Sequence, residues 1–240
     1  MSNDMLRTAA GYIHADPHWW RKILIGGALS LTLIGGIFSA GLVVEQMDNA
    51  RRGFPTPMPP WVAWSSRALI GLFALMIDIL YALMPWLVAL IMFFCGAFAL
   101  VIAGNGAWAN LVAVAFGVVL AVWMLVVFLL GVAPLGRLIF IDDSSPERAL
   151  SSAPLREALR RDAWRHYLRA RLVSLPAYGP FVALASLSGW IATHSVPGVG
   201  LALLVSLWLC GSALLYAHLV VAQVYVLAEQ RVGGVVPRAG

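Results

Sequence analysis

The sequence predicts an all-α fold: a polytopic integral membrane helix bundle of about six transmembrane helices, with a cytoplasmic amphipathic helical segment. Three observations carry that prediction. From Ala68 to Gly136 the chain carries one formal charge, Asp78, and the next is Arg137. Of the 240 residues, 61% are apolar and only 11% charged, against about 25% charged in soluble domains. The mean hydropathy is +0.86. A crossing needs roughly 20 apolar residues for a hydrocarbon core of about 30 Å, so the uncharged stretch is long enough for about three.

The elements follow in order, within one membrane domain covering residues 1–240. Asp16-Pro17 reads as a helix start, with Asp as cap and Pro at the first helical position. Trp19 and Trp20, beside Arg21 and Lys22, read as interfacial anchors. Some 20 mostly polar residues precede the first apolar run, so that run is expected to stay as an anchor rather than be removed as a signal. The first span is placed at 23–44. Four prolines between Phe54 and Trp61 forbid regular helix and favour an extended connection. Trp61 and Trp64 return the chain to the interface.

Further spans are placed at 68–84 and 86–103, divided by Pro85, then at 111–134 after a turn at Gly104–Asn110. Treating 68–103 as one helix would make it roughly 54 Å long, far beyond one crossing. The last two spans are placed at 172–193 and 198–227, with Pro197 in their turn. Small residues spaced by four, Ala113/Gly117/Ala121 and Ala202/Ser206/Cys210, suit close helix packing or a subunit contact.

The net charge of +5 is local. Between Ser145 and Leu172 seven arginines face three acids. The segment 136–171 is therefore expected in the cytoplasm. Six spans then put both termini there too, with thirteen lysines and arginines inside and Arg51, Arg52 and Arg67 outside. Ser144–Glu147 and Ser152–Pro154 read as helix starts. Arg161, Arg165 and Arg169 form one basic stripe, with Glu157 expected to pair with Arg161 at i, i+4. That arrangement suits the anionic lipids of the inner leaflet, each cation contributing about 1 kcal/mol, or a partner protein. The apolar face and neighbouring spans argue against nucleic acid.

Two residues are candidates for an intramembrane polar site. A carboxylate at membrane depth marks a functional position by default, which singles out Asp78. His218 lies inside the last span and could pair with it as a proton relay. The competing reading has each hydrogen-bonded within a packed interface. No catalytic motif is present, the histidine spacing does not suit a metal, and no cofactor is expected. Cys95 and Cys210 lie in apolar runs and read as packing residues.

Three stretches carry a resemblance. They are Asp16-Pro17-x-Trp19-x-x-Lys22-Ile23-x-Ile25-Gly26-Gly27, Gly53-x-Pro55-x-Pro57-x-Pro59-x-Trp61, and Tyr216-Ala217-His218-Leu219-x-x-Ala222-Gln223-x-Tyr225. Together they resemble a prokaryotic family of integral membrane proteins, domain-of-unknown-function family four thousand and thirteen. The resemblance implies a multi-span architecture and no activity. The functional expectation is thus a non-enzymatic scaffold or assembly component of a prokaryotic cytoplasmic membrane, in contact with the bilayer and other membrane proteins. The alternative is a transporter or channel component using Asp78 and His218.

Overall fold

The computed structural model describes residues 2–104, 106–194 and 198–233. Among them every regular element is helical: α1 (Ser2–His14), α2 (Trp19–Leu29), α3 (Leu33–Arg51), α4 (Trp64–Ala103), α5 (Ala107–Leu130), α6 (Val132–Asp143), α7 (Pro146–Ala149), α8 (Ala153–Ala158), α9 (Trp164–Ser174), a 3₁₀ turn (Leu175–Tyr178), α10 (Gly179–Thr193) and α11 (Val199–Gly233). Four helical stretches are long and apolar enough to cross a membrane, at Trp64–Ile102, Ala107–Asp143, Trp164–Thr193 and Val199–Gly233. The chain is a membrane protein by that measure.

The first expected span is two helices. Residues 23–44 break at Ser30–Thr32, and α3 folds back on α2. A straight helix would separate residues 26 and 39 by about 20 Å, yet the Ser39 hydroxyl donates to the Gly26 carbonyl at 3.0 Å. Local chemistry makes the turn. The Ser30 hydroxyl donates to the Gly26 carbonyl at 2.8 Å, and the Thr32 hydroxyl caps α3 by accepting from Gly35 N–H at 3.0 Å, a standard N-cap role. At Gly35 a Cβ would overlap the Leu29 carbonyl. Before α2, Asp16 accepts from the His18 N–H at 2.7 Å and pairs with Lys22. Burial pushes the Asp16 carboxyl up, but these two partners outweigh it and hold the group below its ordinary value.

The proline-rich connection runs back along α3. Asn49 donates to the Pro57 carbonyl at 2.9 Å, Lys22 to that of Met58 at 2.9 Å, and Trp61 Nε1 to that of Lys22 at 3.1 Å. Helix α4 then starts beside the middle of α3, where Gly71 and Gly41 bring the two backbones together. The end of α3 and the middle of α4 meet consecutive residues of α6. Arg51 donates to the Leu138 carbonyl at 3.4 Å, and Arg137 donates to Asp78. The two helices therefore run in the same direction.

The turn expected at Pro85 is absent. Helix α4 continues through it for 40 residues, about 60 Å. A proline inside a helix deprives one carbonyl of its partner, but a break in apolar surroundings would strand several more polar groups. The neighbouring helix adds a bond here, as Trp123 Nε1 donates to the Pro85 carbonyl at 3.2 Å. The turn expected after 103 is present. Gly104 (φ +67°) and Gly106 (φ +131°) take backbone conformations that favour glycine; Asn105 between them lies outside the described residues. So does Pro197.

The core lies around α11, against α1, α2, α3 and α9. Met5, Ile13, Leu42, Met47, Leu219 and Tyr225 are among its buried members. The distal half of α4 and most of α5 form a hairpin with its apolar outer faces exposed, including Phe94, Val101, Trp108 and Val118.

Candidate functional site

The uncharged stretch is closed at its base by the two charges that bound it. Asp78 on α4 meets Arg137 on α6, with Nε donating to Oδ1 at 3.1 Å and a second nitrogen engaging Oδ2. This two-point geometry is typical of guanidinium and carboxylate. The Arg137 side chain is buried and Asp78 is partly covered. Small residues let the elements close. At Gly136 a Cβ would come within 2.7 Å of Ile77 and 3.2 Å of Tyr81. The Tyr81 hydroxyl lies 2.9 Å from the Ala149 carbonyl and 2.6 Å from that of Ser151, tying α4 to the segment after α6.

The expected Asp78–His218 contact is not formed. The His218 ring packs edge-on against Tyr178, centroids 6.1 Å apart, within electrostatic reach of Arg137, Asp78 and Arg171. Asp78 also lies far from a helix end, because α4 continues 25 residues beyond it. Gly131 (φ +53°) separates α5 from α6, and the buried Tyr225 hydroxyl presses on it. That hydroxyl has no hydrogen-bond partner among the described residues.

Beside the ion pair opens a cavity of about 710 Å³ between α4, α5 and the start of α6. Its walls are mostly apolar, and Asp78 and Arg171 supply charge. A second cavity, of about 400 Å³, is lined by charges, among them Arg51, Asp142, Glu157, Arg160 and Glu229. Those charges are already used. Arg51 joins Asp142 at 2.5 Å and Glu229 at 3.0 Å, linking α3, α6 and α11.

The basic stripe is not one helix. Helix α8 ends at Ala158 and α9 begins at Trp164, with Arg161 in the turn between. Glu157 pairs with Arg160 at 3.1 Å rather than with Arg161. Asp162 also takes Arg160, at 2.8 Å; hydrogen bonds from its own backbone N–H and from Arg160 hold its carboxyl below the ordinary value. Arg161, Arg165 and Arg169 are all exposed, and Arg165 lies over the Trp164 ring at 5.5 Å.

Of the expected anchors, Trp20 and Trp64 are exposed. Trp19 packs near His14 and Tyr216, and Trp61 stacks on Trp64 at 5.6 Å. The two small-residue stripes part company. Ala113, Gly117 and Ala121 face outward, whereas Ser206 and Cys210 are buried.

Sequence reasoning missed Arg137 as the partner of Asp78, although their place as the two ends of the uncharged run was a usable signal. It also missed Arg67. That residue is 1% exposed, pairs with Glu45 at 2.6 Å and donates to the Pro60 carbonyl at 2.7 Å. Among the described residues no group of three or more His, Cys, Asp or Glu side chains is placed to hold a metal ion.

No curated protein and no solved structure matches the chain. A family model described as "Protein of unknown function (DUF4013)" matches residues 24–190, well over half of the chain. The match covers the proline-rich stretch and the end of the Asp16–Gly27 stretch and agrees with the resemblance to that family; the chain belongs to the DUF4013 family.

Proposed function

We propose that this protein is a non-catalytic scaffold or assembly component of a prokaryotic cytoplasmic membrane, working through its uncharged α4–α5 hairpin. The observation that carries the reading is the hairpin itself. No formal charge lies between Asp78 and Arg137, its outer faces are exposed, and its base is clamped by the ion pair. Exposed apolar surface on this scale is solvated by lipid or covered by another membrane protein. The same clamp speaks against the transport alternative. Arginine does not give up its proton in a protein, so the contact partner of Asp78 cannot relay one.

The test has two arms. A photo-crosslinker at the exposed Val118 is expected to trap, in native membranes, the same protein that co-purifies with the chain. Recovery of lipid adducts alone from a monomeric chain would sink the scaffold reading. Asp78→Asn is expected to leave proton and solute flux in proteoliposomes unchanged while lowering thermal stability. A loss of flux that Asp78→Asn/Arg137→Gln does not restore would favour transport.

For orientation we favour the cytoplasmic side for segment 136–171, because the eight arginines from Arg137 to Arg171 make up half of the 16 lysines and arginines of the chain, as the positive-inside rule prefers. A single cysteine in place of Ser152, in a chain whose own cysteines are replaced, is expected to be protected from an impermeant maleimide in intact cells. Labelling there would put the segment outside.

A further inference from the structure

We infer that the exposed face of α9, with the turn before it, is a docking surface for the headgroups of anionic phospholipids, seated where the chain enters the membrane. Helix α9 has two unlike sides. Tyr167, Ala170 and Ser174 are buried, and Tyr167 stacks on Tyr225 of α11, so this side is fixed against the bundle. Arg165, Arg169 and Leu172 follow one another at i, i+4 and i+7. They share the opposite side of the helix, and all three are exposed. Arg161 lies in the turn that leads into it.

Length sets the depth of this face. The stretch Trp164–Thr193 is long and apolar enough to cross a membrane. From Leu172 to Thr193 it carries no formal charge, and Leu172, Leu175, Val182 and Leu187 are exposed there. That uncharged part is roughly 33 Å long, close to a hydrocarbon core of about 30 Å. Placing it in the hydrocarbon leaves Arg169 and Arg165 about one and two turns outside, at the level of the lipid phosphates. Trp164 is exposed too, with the Arg165 guanidinium over its ring at 5.5 Å, and tryptophan beside arginine suits that level.

Charge then selects the lipid. The nearest acids in sequence, Glu157 and Asp162, both pair with Arg160. Arg161, Arg165 and Arg169 form no ion pair with an acid among the described residues. With every formal charge from Leu155 to Ala170 counted, arginines still exceed acids by three. A zwitterionic headgroup offers such a surface no net counter-charge, whereas an anionic one does, and basic clusters beside a spanning helix hold anionic lipid for this reason. Exposed Leu159 and Leu172 flank the cations with apolar surface, which favours a lipid over a water-soluble acidic protein. With segment 136–171 on the cytoplasmic side, these are lipids of the inner leaflet.

The test uses the full chain, its own cysteines replaced, with a bimane fluorophore on Leu172→Cys in phosphatidylcholine vesicles. Doxyl-chain phosphatidylglycerol or doxyl-chain phosphatidylcholine is the minor lipid, and quenching reports which of them lies at the site. Phosphatidylglycerol is expected to be preferred by about fivefold or more, the scale of one cation near an anionic surface. The preference is expected to shrink as salt rises from about 0.1 M to 1 M and the screening length falls from about 10 Å to 3 Å. Arg161→Gln/Arg165→Gln/Arg169→Gln is expected to lose most of it. Arg7→Gln/Arg52→Gln/Arg148→Gln removes equal charge from exposed positions elsewhere and is expected to keep it. Should the first triple variant fail to fold, the salt series decides.

Equal quenching by the two lipids would overturn the surface and leave the arginines to an acidic protein partner. So would a preference undiminished at high salt, or an equal loss in both triple variants, which would reduce the effect to overall charge. Quenching by neither lipid would put Leu172 outside the hydrocarbon and remove the placement. None of these outcomes depends on the crosslinking from Val118, so this surface and the scaffold reading fail separately.

Discussion

Glu45→Gln is expected to destabilise the protein by about 3 kcal/mol or more, the scale on which a buried ion pair fails when one partner is removed. Arg67 is 1% exposed. Its Nε and one terminal nitrogen both reach the same Glu45 oxygen, at 3.1 and 2.6 Å, and its guanidinium lies over the Trp61 ring at 5.2 Å. The other terminal nitrogen is buried without a hydrogen-bond partner among the described residues, and the Pro60 carbonyl at 2.7 Å is the guanidinium's remaining acceptor among them. Neutralising Glu45 strands a cation that cannot deprotonate. Arg67→Met is expected to cost less. It removes the buried charge itself and leaves a carboxyl that is 20% exposed and can take up a proton. Thermal unfolding of both variants in the same detergent checks the order. If Arg67→Met proves the more damaging, the pair matters through the arginine's packing rather than through charge compensation.

Gly131→Ala is expected to cost about 2–5 kcal/mol, from two sources. The backbone there has φ +53°, where a side chain costs roughly 1–2 kcal/mol, and overpacking a filled site adds about 1–3 kcal/mol. The overpacking has one identifiable origin, because a Cβ would overlap the Tyr225 hydroxyl. Tyr225→Phe removes that oxygen. Alone it is expected to be nearly neutral, since the hydroxyl is buried without a partner among the described residues. Combined with Gly131→Ala it is expected to restore about 1 kcal/mol or more, a coupling that a double-mutant cycle measures. Strict additivity would place the whole cost in the backbone. The position matters because Gly131 sets where α5 gives way to α6, and so where Arg137 meets Asp78.

Much of the fold was legible because membrane residence leaves a mark on composition. An uncharged run from Asp78 to Arg137 has no soluble reading, and the turn placed at Gly104–Asn110 includes the one the backbone makes before α5 begins at Ala107. Ser145 caps α7 by accepting from the Arg148 N–H at 3.5 Å, where Ser144-Ser145-Pro146-Glu147 reads as a helix start. The boundaries that went astray were those set by a neighbour. Pro85 reads locally as a break, yet α5 packs alongside and Trp123 bonds the proline's carbonyl. Residues 23–44 read as one apolar run, yet Ser30, Thr32 and Ser39 bend it back on itself. Arg161 lies on a plausible stripe, yet the chain turns there, and Arg160 takes both acids.

The candidate site divides in the same way. Asp78 stood out because a lone carboxylate in apolar sequence is costly wherever it lies. Its partner was hidden because Arg137 is 59 residues away, and no periodicity links two helices across that distance. His218 was an equally reasonable partner on residue type alone.

By itself the sequence determined that the chain lives in a membrane, that its cations cluster before α10, and that an acid must be compensated near Ala68–Gly136. Those properties depend on what residues are, and on transfer between water and lipid, which composition reports directly. Only the tertiary structure decided that Arg137 compensates Asp78, that α4 runs unbroken through Pro85, and that a cavity opens beside the ion pair. Those outcomes depend on which helices lie together. A buried charge and a space between side chains are each settled by residues distant in sequence but close in space.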